Sequence, residues 1–349
     1  MSDSIFREGG PYSVRRKTGD QFAFNISIPT DEHGRIARQC PSDICSPGYF
    51  KVKSGTGITG GQEVAFCPYC RHSAEPGEFK TEEQLRYAKD VVLREAHKGI
   101  QDMFGKALGL GPSGSKKIGG GFISMEMTYK PGSLPSVRRP MEDEIRRDVV
   151  CPHCGLDHAV FGIAIWCADC GKDIFLTHVE TELTVISKML SDIDRRRSDL
   201  GPRVAARDLE NSLEDMVSIY EAVLKALVTR HLKESGATDE EIRSCLKKKV
   251  GNAFQNIDRG AEIFKTEFNL DLFEELSPDS RRSLKSTFDK RHPITHNLGV
   301  VDRKYLERAL SDDEEGKEVR VTKTEIEESV SAVLRLIRFA HSKLVKPVD

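Results

Sequence analysis

Cys151-Pro152-His153-Cys154 and Cys167-Ala168-Asp169-Cys170 are two Cys-x-x-Cys segments separated by 12 residues, and a glycine follows each segment. Two residues between the cysteines form a tight turn that directs both sulfurs to one point, and two such turns complete a tetrahedron around Zn²⁺. Glycine suits the position after the turn because that position favours a positive φ. This spacing predicts a zinc ribbon over residues 122–178, with Cys151, Cys154, Cys167 and Cys170 as the metal ligands.

Four earlier cysteines predict another zinc ribbon, in a β-rich region that covers residues 1–104 and ends in a helix. Four residues lie between Cys40 and Cys45, and two lie between Cys67 and Cys70. Four thiolates leave no open coordination position, so both zinc ions are expected to be structural. Redox-active or merely buried cysteines are the alternative that the spacing leaves open. The ninth cysteine, Cys245, is expected to be a buried apolar residue on a helix.

The charge balance and hydropathy of the chain exclude several classes of protein. Lys and Arg number 53 and Asp and Glu number 55, so the net charge is -2. A chain this neutral does not bind polyanions through its overall charge, and contact with nucleic acid must come from local basic patches. The N-terminus lacks the apolar segment of a signal peptide, and the longest apolar run, residues 159–166, is too short to span a bilayer. We therefore expect a soluble cytoplasmic protein that makes no contact with membranes and whose cysteine pairs bind metal.

The segment between the two predicted ribbons combines a helix with a glycine-rich stretch. A capping box at Thr81 predicts a helix that ends near residue 104. Residues 105–121 contain seven glycines and predict a flexible linker. Residues 109–116 resemble a phosphate loop in composition, but their Lys does not directly follow a Gly, which argues against nucleotide binding there. The predicted helix has an apolar stripe made of Leu85, Ala88, Val92, Ala96 and Ile100.

Residues 179–349 have a different composition from the rest of the chain. Cysteine pairs end here, glycines become rare, and apolar residues repeat every three to four positions. This periodicity predicts a bundle of about six helices. The expected fold class is therefore α+β and multidomain, with two small β-rich zinc ribbons followed by an all-α bundle.

One segment of the predicted bundle concentrates chemically active side chains: Lys290-Arg291-His292-Pro293-Ile294-Thr295-His296-Asn297. On an unbroken helix, Arg291 and His296 would diverge by about 140°. Pro293 is expected to break the helix near Arg291 and to start a new turn, which would bring Arg291 and His296 together. Histidine can exchange a proton near neutral pH, and arginine can bind phosphate through two hydrogen bonds.

Arg291-x4-His296, with the polar His292 directly after the arginine, resembles the Arg-x(4–6)-His motif of HEPN domains. Phe254-Gln255-Asn256 upstream, and Val301-Asp302 and Tyr305 downstream, add to the resemblance. It covers roughly residues 180–345 and includes the helical character of that region. The resemblance implies a HEPN-like helical bundle of the kind that is common in bacterial defence and toxin–antitoxin systems.

The resemblance also implies a function, a metal-independent endoribonuclease that dimerises to form a shared cleft. Its catalytic residues would be Arg291 and His296 with help from His292, its substrate RNA, and its dimer contacts in the helical bundle. The two ribbons would serve targeting or regulation, for instance by holding a protein partner. The alternative is a non-catalytic interaction or sensor protein that binds a partner, a nucleotide or nucleic acid. Ribbon spacing alone does not distinguish nucleic-acid binding, partner binding and a purely structural role.

Overall fold

The computed structural model describes residues 6, 12–16, 22–58, 62–110, 114–120, 124–145, 147–309 and 311–346. These residues form a mixture of helix and sheet, with the small strands in the N-terminal half and most helices in the C-terminal half. This arrangement agrees with the α+β class expected from the sequence. No helix among the described residues is both long enough and apolar enough to cross a membrane.

The strands form one four-stranded antiparallel sheet and three two-stranded hairpins within the described residues. The strands are β1 (Tyr12–Arg16), β2 (Phe22–Ile26), β3 (Arg35–Gln39), β4 (Tyr49–Lys53), β5 (Ala65–Phe66), β6 (Ser73–Ala74), β7 (Ser115–Ile118), β8 (Met125–Thr128), β9 (Arg147–Val150) and β10 (Asp157–Val160).

The first helix is long and lies in the N-terminal half, and a series of helices follows Cys170. The connections between elements contain short helical turns: 3₁₀ turns at Pro76–Glu78 and Ala253–Gln255, and a π turn at Leu246–Val250. The helices are α1 (Glu82–Ala107), α2 (Phe175–Ser191), α3 (Ile193–Leu200), α4 (Pro202–Glu234), α5 (Asp239–Cys245), α6 (Ile257–Phe268), α7 (Pro278–Asn297), α8 (Arg303–Leu306) and α9 (Lys323–Leu344).

The two cysteine-rich regions share one sheet, although more than 100 residues separate their strands along the chain. The strand order is β3-β4-β10-β9, so β4 of the first region pairs with β10 of the second. Phe50 lies opposite Val160 in this pairing, and both side chains are buried in the same apolar cluster. Because β-strand pairing and core packing both cross between the two regions, they fold as one β-rich body around two cysteine clusters.

The glycine-rich stretch at residues 105–121 is partly ordered as regular structure. Helix α1 extends to Ala107, and β7 pairs with β8 in an antiparallel hairpin whose register places Ser115 opposite Thr128. Residues 111–113 and 121 of the predicted linker lie outside the described residues. The prediction of a flexible linker is therefore wrong for the part that forms α1 and β7.

Helix α1 turns a different face inward from the one that its apolar pattern predicts. Its buried residues are Gln84, Tyr87, Val91 and Gly99, whereas Leu85 is 46 % exposed and Ile100 is 44 % exposed. Tyr87 and Val91 pack with Tyr12 against the β1–β2 hairpin. Gln84 is buried because its side-chain amide donates to the carbonyl of Ala37 at 2.8 Å. The hydrogen bond from Gln84, and not the apolar stripe, thus determines which face of α1 is buried.

The C-terminal helices pack around α4, which is 33 residues long. Apolar residues of α4 at helical spacing, among them Leu213, Tyr220 and Leu227, are completely buried. Pro202 and Pro278 occupy the first positions of α4 and α7, where the missing amide donor costs nothing. Capping boxes at Thr238 and Thr322 start α5 and α9. The core formed with α2, α7 and α9 holds the helix that carries the His and Arg motif.

Helix α7 runs without interruption from Pro278 through Pro293 to Asn297, so the predicted break at Pro293 is wrong. An internal proline costs roughly 3 kcal/mol through the lost hydrogen bond and the ring contact. Pro293 and Ile294 are both buried in the core, and this burial offsets the cost. The helix ends instead at Leu298, which has a left-handed φ of 52°, and Gly299 donates to the Pro293 carbonyl at 2.8 Å.

Candidate metal clusters and candidate active site

The eight cysteines expected to bind metal come together in two clusters. Within each cluster the sulfur atoms lie within 4.8 Å of one another. The Sγ–Sγ distances are 3.7 Å for Cys40–Cys70 and 3.5 Å for Cys154–Cys167. A tetrahedron with Zn–S bonds near 2.3 Å has edges of about 3.8 Å, so this spacing fits a tetrahedral ion. Both clusters are therefore arranged to hold metal ions.

Backbone geometry around the second cluster explains the glycines that follow its cysteine pairs. Gly155 and Gly171 have φ values of +79° and +64°, as the sequence predicted. A Cβ at Gly171 would also lie 2.9 Å from the ring of Phe66, which belongs to the first cysteine-rich region. His153 does not belong to this cluster of sulfur ligands, and its Nε2 lies 3.2 Å from the carbonyl oxygen of Asp173. Glycine at 171 thus permits both the turn and the contact between the regions.

The ninth cysteine stands apart from both clusters. Cys245 is the last residue of α5 and is partly exposed, so the expectation of a buried apolar residue is only partly met. Burial raises the pKa of its thiol, and the nearby Lys249 opposes this effect. A thiol with a raised pKa forms little thiolate at neutral pH and is a poor nucleophile.

A second candidate site is a cavity of about 190 Å³ in the helical region. Its walls come from α7, from the start of α6 with the preceding 3₁₀ turn, and from α8 with the residues after it. The three residues predicted to be catalytic all line it. The lining consists of Asn252, Gln255, Asn256, Arg259, Phe288, Asp289, Arg291, His292, His296, Tyr305 and Arg308.

Arg291 and His296 meet at this cavity even though α7 is unbroken. His292 and His296 are one turn apart and share a face of the helix. Arg291 points from a different face, and its Nη1 donates to Gln255 Oε1 at 3.2 Å. The arginine side chain is long and bonds to the neighbouring 3₁₀ turn, so Arg291 and His296 reach the same cavity without the predicted helix break.

The two imidazoles form a close pair. Their ring centroids are 5.1 Å apart and their planes are inclined by 57°. His296 is exposed, whereas His292 is partly buried. Burial lowers the pKa of His292. The adjacent His296 ring and nearby cations lower this pKa further, whereas Asp302 raises it. His292 is therefore more readily neutral near pH 7 than an unperturbed histidine.

Positive groups surround the histidine pair on the other walls. Arg259 and Arg308 are exposed at the cavity rim. Asn256 is the N-cap of α6, and its side chain accepts from the backbone of Arg259 at 2.9 Å. The N-terminus of a helix favours an anion, so it adds to the positive potential of the arginines. The arrangement suits a phosphate group with a proton donor and a proton acceptor beside it.

Other polar residues of the motif point away from the cavity. Lys290 is buried, its Nζ donates to the carbonyl of Arg320 at 2.8 Å, and it forms an ion pair with Glu325. Asn297 donates to the carbonyl of Val300 at 2.7 Å, and Thr295 donates to Glu214 at 2.8 Å. These residues stabilise the helix and its C-terminal turn.

Sequence reasoning missed several residues of the cavity. Asn252, Arg259, Asp289 and Arg308 were not predicted as site residues. Arg259 is one of many arginines on exposed helix positions, and no local pattern sets it apart. Asp289 could have been found, because it lies three residues before His292 and seven before His296, on the same face of a helix.

Comparison of this chain with models of known protein families, with curated proteins and with solved structures found no match. The geometry and chemistry of the two kinds of site are therefore the basis for a proposed function.

Proposed function

We propose that the cavity on α7 cleaves RNA without a metal ion, as an endoribonuclease with a HEPN-like helical region. The observation that carries the proposal is the convergence of Arg291, His292 and His296 on one cavity with further positive groups at its rim. A scaffold or sensor without catalysis would not need two adjacent imidazoles, one of which has a lowered pKa.

The proposed reaction is attack of a ribose 2′-hydroxyl on the adjacent phosphate. A base removes the hydroxyl proton, the new O–P bond forms, and the bond to the 5′-oxygen breaks as an acid protonates the leaving oxygen. The products are a 2′,3′-cyclic phosphate and a 5′-hydroxyl. This first step needs no oxidant, no metal and no water. Its rate depends on proton transfer and on stabilisation of the more negative phosphorane.

Four residues of the cavity have roles in this scheme. His292, with its lowered pKa, takes the 2′-hydroxyl proton. His296, exposed at the cavity mouth, gives a proton to the leaving oxygen. Arg291 binds the phosphate, and Gln255 holds the guanidinium in place through its Oε1. Because one chain supplies both imidazoles, the acid and the base need not come from different subunits.

We also propose that both cysteine clusters bind Zn²⁺ and that the ions are structural. Four sulfur ligands fill a tetrahedral zinc ion and leave no position for substrate. The clusters lie in the apolar core that also contains Phe50 and Phe79. Zinc there stabilises the β-rich body, which could present a surface to a protein partner or to RNA.

The proposal includes homodimerisation through the helical region and a cytoplasmic role in bacterial defence or in a toxin–antitoxin pair. Leu298, which directly follows α7, is 82 % exposed. This large apolar side chain, two residues after His296, is available for contact with a second copy. Light scattering of the wild type and of Leu298→Ser tests this part of the proposal, which predicts a dimer that Leu298→Ser weakens.

The test of cleavage uses RNA incubated with wild type, Arg291→Ala and a matched control in EDTA. His33→Ala is a suitable control because His33 is exposed and distant along the chain. We expect the wild type and the control to produce 2′,3′-cyclic phosphate ends, and Arg291→Ala to lose at least about 100-fold in rate. Equal cleavage by wild type and Arg291→Ala would show that the activity comes from elsewhere.

A further inference from the structure

A cavity of about 290 Å³ lies in the β-rich body, apart from the cavity on α7. Alternate residues of β3 and β4 line it, because paired residues of neighbouring strands direct their side chains to the same face of a sheet. The residues on this face are Ile36, Arg38, Phe50 and Val52. The β4–β5 connection, Pro76 and the turn at Ala168 and Asp169 form other walls. Both cysteine-rich regions therefore contribute to one cavity.

Arg38 brings a positive charge to this cavity. It is half-buried, and its Nη1 donates to the carbonyl of Pro76 at 2.6 Å, so the guanidinium lies at the wall that Pro76 forms. Burial lowers the pKa of Arg38, and no carboxylate among the described residues raises it. The other guanidinium nitrogens make no hydrogen bond with the described residues, and none of these nitrogens is sealed from solvent. They are therefore available to a ligand.

Arg35, three residues earlier, shows how the protein neutralises a buried guanidinium elsewhere. It lies on the opposite face of β3 and pairs with Asp148 and Asp157, each at 2.8 Å. Lys53 also lines the cavity, but its Nζ lies 3.6 Å from Asp157 Oδ2. A charge that is removed from water is costly unless it is paired. Arg38 has no such partner in the part of the chain that the structure describes, so an anionic ligand would complete its surroundings.

Apolar side chains with accessible surface lie beside Arg38 in the lining. Ile36, Val52 and Ala65 are half-buried, and Ile58 is exposed. The volume equals that of about ten water molecules at about 30 Å³ each, which suits a ligand of about ten non-hydrogen atoms. Asp169 is the acidic residue of the lining, and its carboxylate accepts from the backbone nitrogen of Ile58. Its negative charge opposes a ligand that carries more than one negative charge.

We propose that this cavity binds a small monocarboxylic acid with an apolar body, and that Arg38 holds the carboxylate. A guanidinium matches a carboxylate through two parallel hydrogen bonds. The apolar part of the ligand would leave water on contact with Ile36, Val52 and Ile58. A phosphate dianion fits less well, because Arg38 is the available cation and Asp169 would repel the second charge. This site does not depend on the proposed ribonuclease activity.

The test is calorimetric titration of the full-length protein with hexanoate, 4-methylpentanoate and phenylacetate, each compared with the corresponding amide. We expect at least one acid to bind with a dissociation constant below about 1 mM. Its amide should bind at least about tenfold more weakly, because the amide lacks the charge that pairs with the guanidinium. Equal binding of each acid and its amide, or no binding of any of the acids, would overturn the inference.

Substitutions of Arg38 test where the acid binds. Arg38→Met removes the charge but keeps a long side chain, and it should weaken binding of the acid at least about tenfold. Arg38→Lys keeps the charge without the two-pronged contact, so we expect an intermediate affinity, which a misfolded variant would not show. Arg138→Met is the matched control, since Arg138 is exposed and does not line the cavity. Wild-type affinity in Arg38→Met would place the acid elsewhere and overturn the inference.

Discussion

At the scale of single residues, the proposed reaction requires two histidines to divide the proton transfers. The sequence pointed to Arg291 and His296 and treated His292 as an assistant. His292 lies deeper in the cavity, and its lowered pKa is what a general base in the proposed reaction requires. Side-chain burial determines such a difference, and burial at a helix position depends on packing partners distant in sequence.

This division predicts the pH dependence of cleavage. A base must be neutral, and the pKa of His292 lies below the usual value near 6.5. We therefore expect kcat/KM to rise with pH through a midpoint below about 6.5. His292→Ala should be much slower and should lose this rising limb. A rising limb that persists unchanged in His292→Ala would assign the base to another group.

A second residue-scale prediction concerns stability and His158. His158 is completely buried on β10, and burial lowers its pKa to about 4. The unfolded chain has a pKa near 6.5 and binds the proton first, so folding stability falls as the pH drops from about 6.5 towards 4. The total loss is about 3 kcal/mol.

Denaturant unfolding between pH 6.5 and 5 tests this prediction. His158→Leu removes the titrating ring and should flatten the pH dependence, whatever its effect on absolute stability. His33→Leu, which changes an exposed ring, should keep the wild-type slope. If His158→Leu and wild type lose stability at the same rate, His158 is not the responsible group.

At the scale of elements, periodicity predicted the bundle helices well but failed for α1, and the expected proline break failed for α7. Apolar spacing identified the buried faces of α2 and α4, where packing against a large core decides the rotation. Helix α1 has few partners, so the buried amide of Gln84 fixes it instead. Helix α7 tolerates Pro293 because neighbouring helices bury it. Both exceptions come from tertiary contacts that a local pattern does not contain.

The N-terminus of α9 also supports the site helix, through the ion pair between Glu325 and the buried Lys290. Glu325 also completes the capping box with Thr322. Glu325→Ala should therefore remove part of the helix cap and leave the buried Lys290 ammonium without its carboxylate partner. We expect the free energy of unfolding to fall by about 2 kcal/mol or more. This is less than the cost of breaking a fully buried pair, because Glu325 is partly exposed to solvent.

Glu241→Ala provides the comparison for this prediction, since Glu241 completes the same capping box at α5 without a buried cation. It should cost about 1 kcal/mol or less. Chemical denaturation of both variants measures the difference. Equal costs for the two substitutions would mean that the ion pair with Lys290 adds nothing.

At the scale of the whole molecule, the cysteine spacing identified all eight residues of the two clusters. Spacing works here because a tetrahedral metal site constrains the chain locally. The sequence did not predict that the two regions join in one sheet, because β4 and β10 pair across more than 100 residues. Nothing in a short strand specifies which distant strand it will pair with.

The shared sheet predicts that the two clusters depend on each other. Wild type should contain two metal ions per chain by elemental analysis. Cys151→Ser should lose more than one, because loss of the second cluster weakens the sheet that also supports β3 and β4. Independent ribbons would instead keep one ion per chain in Cys151→Ser, with the first cluster unaffected.

The central claim is that α7 carries a metal-independent ribonuclease site, and the most direct test is the rate at which His296→Ala cleaves a labelled RNA in EDTA. His296 is exposed, so its removal should leave the fold and the melting temperature unchanged. We expect a wild-type rate that EDTA does not lower and a loss of about 100- to 10,000-fold in His296→Ala. Equal rates for the two proteins, or no cleavage by either, would contradict it.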